Sequence, residues 1–153
     1  MSWPFRKRLS RPSLLPISGP WTIGEGEYNG NVMLVRLNAG YQEFGPVPGY
    51  EHQVGIAVPF HAREANGLPS TEESLQLSAI EDDICLVLQE EAASVLVAII
   101  TTGGMREFVL YTRAPQNVQK QFERLRETIT SHEIQLMIQP DKDWEVYAQL
   151  VPA

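Results

Sequence analysis

The 153-residue sequence predicts an α+β fold, a ferredoxin-like β-α-β-β-α-β sandwich with an added N-terminal β-hairpin and an added C-terminal strand. Three observations predict it. The pairs Asn29-Gly30 and Gly103-Gly104 each stand between strand-like runs, and such pairs accept the positive φ angles of a tight hairpin turn. Two segments, 70–90 and 115–130, repeat apolar residues at spacings of three and four, the period of one helix face. The other apolar runs are short or alternate with polar residues, as strands do.

Residues 1–19 form a basic arm with Arg6, Lys7, Arg8 and Arg11, and residues 20–153 form a single domain. Its "LLPI" core is too short for a signal peptide and is broken by Pro16. The arm reads as a loose tail, since termini are often unordered; the sharper alternative is contact with an anionic surface.

The hairpin Trp21–Asn38 follows, with Val32 and Leu34 on one face of its second strand and Met33, Val35 and Leu37 on the other. Residues 40–50 make a loop rich in Gly, Pro and aromatics. Val54, Ile56, Val58 and Phe60 then alternate with smaller or polar residues in a strand that Pro59 ends or edges. Ser70 and Glu73 match a capping box. Leu77, Ile80, Ile84, Val87 and Leu88 share one face of the helix that starts there. Leu75, Ala79 and Leu86 fall on the opposite face, which marks them as candidate protein-interface residues. An uninterrupted helix is favoured over a break near Asp83 followed by a strand "ICLVL", although short apolar runs are ambiguous by period.

"SVLVAIITT" is a nearly continuous apolar strand covered on both faces. "MREFVLYT" is its hairpin partner. Pro115 suits the first turn of the second helix, whose buried stripe is Val118, Phe122, Leu125 and Ile129. "EIQLMIQ" alternates as a half-exposed strand, "PDKD" is a turn, and "WEVYAQLV" is a closing strand. One face of the sheet stays open unless the N-terminal hairpin, the C-terminal strand or a second subunit covers it.

The motifs Trp21 with Asn29-Gly30, Gly67-Leu68-Pro69, Glu81-Asp82, Thr102–Phe108 with Tyr111, and Asp143-Trp144 with Tyr147 occur in one order across residues 20–150. In that order and spacing the chain resembles the bacterial domain-of-unknown-function 695 family. The resemblance implies no activity for any residue. It implies distant similarity to domains like the regulator of ribonuclease activity B, ferredoxin-like proteins that bind and inhibit an enzyme.

Composition excludes several functions. Hydrophobic residues make up 43% and charged residues 20%, an ordinary globular balance. A net charge of −7 repels phosphate backbones, so nucleic acid is not an expected partner. The longest apolar run, Ala92–Ile100, is too short to span a bilayer. A single cysteine, Cys85, allows no intramolecular disulfide. A cytoplasmic location fits all of this.

Little of the sequence reads as chemistry. His52, His61 and His132 lack metal-ligand spacing, and His61 with Glu64 is the nearest approach, so no metal and no cofactor is expected. Glu81, Asp82 and Asp83 point successively around a helix and cannot converge. Asp141 and Asp143 suit turn chemistry. Cys85 has acidic neighbours, which oppose a thiolate. No serine has an evident base, and Gly103-Gly104 lacks the spacing of a phosphate loop.

Arg106 and Glu107 are adjacent on a strand and point to opposite faces. Arg106 goes with Phe108 and Leu110, and Glu107 with Met105, Val109 and Tyr111. The expected function is a non-catalytic binding or regulatory module that acts on an unknown protein partner or on a second copy. The alternative is a small-molecule binder or weak hydrolase with a site near Arg106, Glu107, Tyr111, Trp144 and Tyr147.

Overall fold

The computed structural model describes residues 21–152 apart from Ala62. The basic arm lies outside the described residues. No described helix is long and apolar enough to cross a membrane.

The chain is α+β, with one six-stranded antiparallel sheet. Its strands are β1 (Trp21–Tyr28), β2 (Asn31–Asn38), β3 (His52–Pro59), β4 (Ser94–Thr102), β5 (Met105–Thr112) and β6 (Gln135–Pro140). Their order across the sheet is β1-β2-β4-β5-β3-β6. The described helices are α1 (Tyr41–Phe44), α2 (Thr71–Ile84), α3 (Pro115–Thr128) and α4 (Glu145–Leu150). The apolar stretch after Asp83 is no strand: α2 runs on as a π turn, Cys85–Gln89.

Local chemistry sets the boundaries. Asn29 (φ 50) and Gly30 (φ 83) close β1 on β2, and Gly103 (φ 58) and Gly104 (φ 82) close β4 on β5, the sign that two-residue hairpin turns require. Ser70 Oγ accepts the Glu73 N–H at 3.2 Å and starts α2. Pro115 stands in the first turn of α3, as its missing N–H allows. A bulge in β4 inserts Val97 between Leu96 and Ala98.

The sheet separates two apolar clusters. On one face α2 and α3 cover an apolar core that includes Ile56, Leu77, Ile84, Leu110 and Phe122. On the other face Leu37, Val97, Val109 and Tyr111 lie under Tyr41, Tyr50, Trp144 and Tyr147. The bulge lets Val97 and Ala98 both serve this second cluster while Leu96 and Ile99 serve the first.

The expected C-terminal strand is a helix. Its buried aromatics, Trp144 and Tyr147, are three residues apart, the spacing of one helix face rather than of a strand. The Asp141 carboxylate accepts the N–H groups of Glu145 at 2.8 Å and Val146 at 3.0 Å, which are orphan donors of the first turn. Trp144 turns the chain with a left-handed φ of 56. The cover on the second face is therefore this helix together with the aromatic loop around α1. The N-terminal hairpin extends the sheet edge and covers neither face.

Candidate functional site

The second sheet face has a closed half and an open half. In the closed half the Tyr111 and Trp144 rings stack at 4.1 Å between centroids, 9° apart. Trp144 Nε1 donates to the Tyr50 carbonyl at 2.8 Å, and Tyr147 Oη donates to the Asn38 carbonyl at 2.6 Å. Tyr111 Oη donates to Asp141 Oδ2 at 2.6 Å and accepts the Tyr147 N–H at 3.2 Å. Burial, with the Asp141 hydrogen bond, raises the Tyr111 pKa. Burial pushes Tyr147 up to about 12. Both phenols stay protonated and act as hydrogen-bond struts. A cavity of about 250 Å³ lies beside Tyr41, Asp143, Trp144 and Tyr147.

The open half lies toward the two hairpin turns. A cavity of about 520 Å³ stands there on Met33, Ile100 and Met105, walled by Tyr28, with Glu107 as the carboxylate in its lining. Pairing of Met33 with Thr102 and of Ile100 with Glu107 puts these side chains on one face. Burial raises the Glu107 pKa.

Arg106 projects to the helix side. Its Nε donates to Thr101 Oγ1 at 2.9 Å. Burial lowers its pKa, nearby Arg36 adds to that, and Glu81 opposes it. Arg36 pairs with Glu81 at 2.5 Å and lies 5.7 Å from the Trp21 ring centre. Cys85 stands in the same acidic neighbourhood, its thiol pushed up to about 11 by burial, Glu81 and Asp82. Such a setting disfavours the thiolate, the reactive form.

The five residues expected around one ligand are thus distributed over three places. Tyr111, Trp144 and Tyr147 form the closed half, Glu107 lies in the open half, and Arg106 sits across the sheet. The split of Arg106 from Glu107 follows the alternation read from the sequence. The expected interface residues are presented outward: Leu75 is 70% exposed, Leu86 is 58% exposed, and Ala79 is exposed between them on α2.

One polar group was not legible in the sequence. Glu73, expected only as half of a capping box, is buried and bonds His132 Nε2 and, at 3.4 Å, the His61 N–H. His132 Nδ1 lies 3.0 Å from Ser131 Oγ, so this serine does have a histidine and a carboxylate behind it. The His61 and His132 rings approach to 4.2 Å, and His61 Nε2 meets the Ser131 carbonyl at 2.5 Å. These bonds tie the first turn of α2 to the loop between α3 and β6. No spacing in the sequence joins residues about sixty positions apart. Among the described residues, no three His, Cys, Asp or Glu side chains group as a metal site.

The fold and its half-open face define a small α+β protein with an accessible sheet surface and an accessible sheet edge. The chain belongs to a family of unknown function, DUF695, whose model matches residues 20–151. No curated protein and no solved structure matches the chain.

Proposed function

We propose that this protein is a non-catalytic binding or regulatory module whose docking element is the edge strand β1. The observation that carries this reading is that all eight residues of β1, Trp21–Tyr28, are exposed at the sheet edge. A two-residue turn makes Tyr28 and Asn31 a hydrogen-bonded pair, and bonding alternates from there. Thr22, Gly24, Gly26 and Tyr28 therefore direct their backbone groups to β2. Trp21, Ile23, Glu25 and Glu27 direct theirs outward. The other edge, β6, is shorter, at six residues, and ends on Pro140, which makes it the poorer template.

The occupant that fits is an extended segment of another protein, with basic side chains facing Glu25 and Glu27. A second copy fits less well. Same-face registers that use most of the strand bring Glu25 of the two copies opposite or diagonal to each other, where like charges repel.

We also read the order β6-β3-β5-β4, with α2 and α3 on one face, as the ferredoxin-like core. It supports the regulatory reading only as analogy, since fold does not fix function. The single cysteine fits a cytoplasmic setting.

Titration with a short alternating Lys-Val peptide, followed by backbone amide NMR, tests the edge. The amides of Ile23 and Glu25 should shift, and the matched Glu-Val peptide should leave them in place. Ile23→Pro should abolish the response, because it removes an outward donor while sparing the ladder to β2. Equal response to both peptides, or none, would refute the reading.

A further inference from the structure

We propose that the open half of the second sheet face is a binding site for a small organic ammonium, with the charged group on Glu107 and an apolar body against Met33, Ile100, Met105 and Tyr28. This goes beyond protein docking at β1 and involves a different surface.

Four observations carry it. First, Glu107 has no hydrogen-bond or ion-pair partner among the described residues. A half-buried carboxylate in that condition gains most from a cation brought to it. Second, no residue lining the cavity is cationic, and the chain carries a net charge of −7, so a free cation is drawn in without displacing an internal one.

Third, the carboxylate is seated by an absence. A Cβ on Gly55 would stand 2.9 Å from Glu107 Oε2 and 3.3 Å from Met137 Cε. A side chain at position 55 would push this flexible carboxylate aside, so the glycine lets it lie against the β3 backbone. Buried Gln53 Nε2, 3.6 Å from the same point, has no partner among the described residues.

Fourth, the volume of about 520 Å³ matches a small ligand rather than a macromolecule, within the usual span of roughly 300–1,000 Å³. Thioethers and a phenol ring suit a cation with an aryl or alkyl body. Gly24 has nothing within 4 Å of its missing Cβ, and Gly26 meets only Met33 Cε at 3.4 Å. Of the β1 residues, Tyr28 lines the cavity, and Gly26, paired with Met33, adds no side chain beside it.

The test is an NMR titration of the full chain with phenethylammonium, phenethyl alcohol and hydrocinnamate, which share a body and differ in charge. Methyl signals of Met33, Met105 and Ile100 should shift with the ammonium, at least tenfold more weakly with the alcohol, and not with the carboxylate. Glu107→Gln should weaken ammonium binding at least tenfold while its spectrum stays folded. Gly55→Ala, which keeps the charge but displaces the carboxylate, should weaken it as well. Equal binding of alcohol and ammonium, unchanged binding in Glu107→Gln, or no binding would overturn the proposal. Tighter binding of a blocked lysine amide than of phenethylammonium would also overturn it, in favour of a partner protein's side chain.

Discussion

Two halves of one sheet face lie on the same strands and differ in almost every physical respect. In the closed half Tyr111, Trp144 and Tyr147 are nearly inaccessible, and their polar atoms bond Tyr50, Asn38 and Asp141. In the open half Met33 and Glu107 are half-buried, Met105 is 39% exposed, and the carboxylate has no partner among the described residues. Strand composition does not explain the difference. β5 supplies Tyr111 to one half and Glu107 to the other, four residues away. What differs is where connecting chain returns. The α1 loop and α4 both return over the His52–Thr112 end of the sheet, whereas the chain that returns to the hairpin-turn end, residues 60–69, bonds the turn itself, the Gly104 N–H donating to the Gly67 carbonyl and Arg63 to the Gly103 carbonyl. Aromatic residues with polar tips close a face where backbone carbonyls are near to receive them.

Mutations should separate the halves by size of effect. Trp144→Ala removes the stacked ring and its bond to Tyr50 and should cost about 3–5 kcal/mol, read as a lower denaturation midpoint. Loss of near-ultraviolet dichroism alone would show that the ring packs but does not hold the fold. Asp141→Ala leaves Tyr111 Oη and the first turn of α4 without their acceptor and should cost about 2–3 kcal/mol. If α4 is retained at full stability, Asp141 is not what ends the strand pattern there. Tyr111→Phe keeps the stack and removes one hydroxyl, for about 1 kcal/mol.

Glu107→Gln in the open half should have the smallest effect and the opposite sign. Burial raises the folded pKa of Glu107 above the ordinary 4.5, so in that window the folded state binds more protons than the unfolded. Native stability therefore falls as pH rises through the window, and the penalty is complete above it. The variant should melt slightly higher than the native chain at neutral pH, and the gap should close as pH falls toward 4.5. A constant gap across pH would mean that Glu107 does not titrate differently in the fold.

Local features were well legible. Asn29-Gly30, Gly103-Gly104, Ser70 and Pro115 each act through one or two backbone positions, so no distant residue can overrule them. The periodic stripe of α2 and its second, exposed row of Leu75, Ala79 and Leu86 were also legible. The last segment was not. Val146, Tyr147 and Trp144 favour strands intrinsically, yet a carboxylate at Asp141 and a sheet surface ready to receive two aromatics made a helix there.

By itself the sequence determined the α+β class, the turns, the helix faces and the division of Arg106 from Glu107 between faces, because each follows from backbone period or turn chemistry within a few residues. Tertiary structure alone decided which of the marked residues meet. It sent Trp144 and Tyr147 to Tyr111, buried Glu73 against His132, and left Glu107 over Gly55 in an uncovered cavity. Those outcomes depend on strand order and on where loops return, which are properties of contacts far apart in the chain.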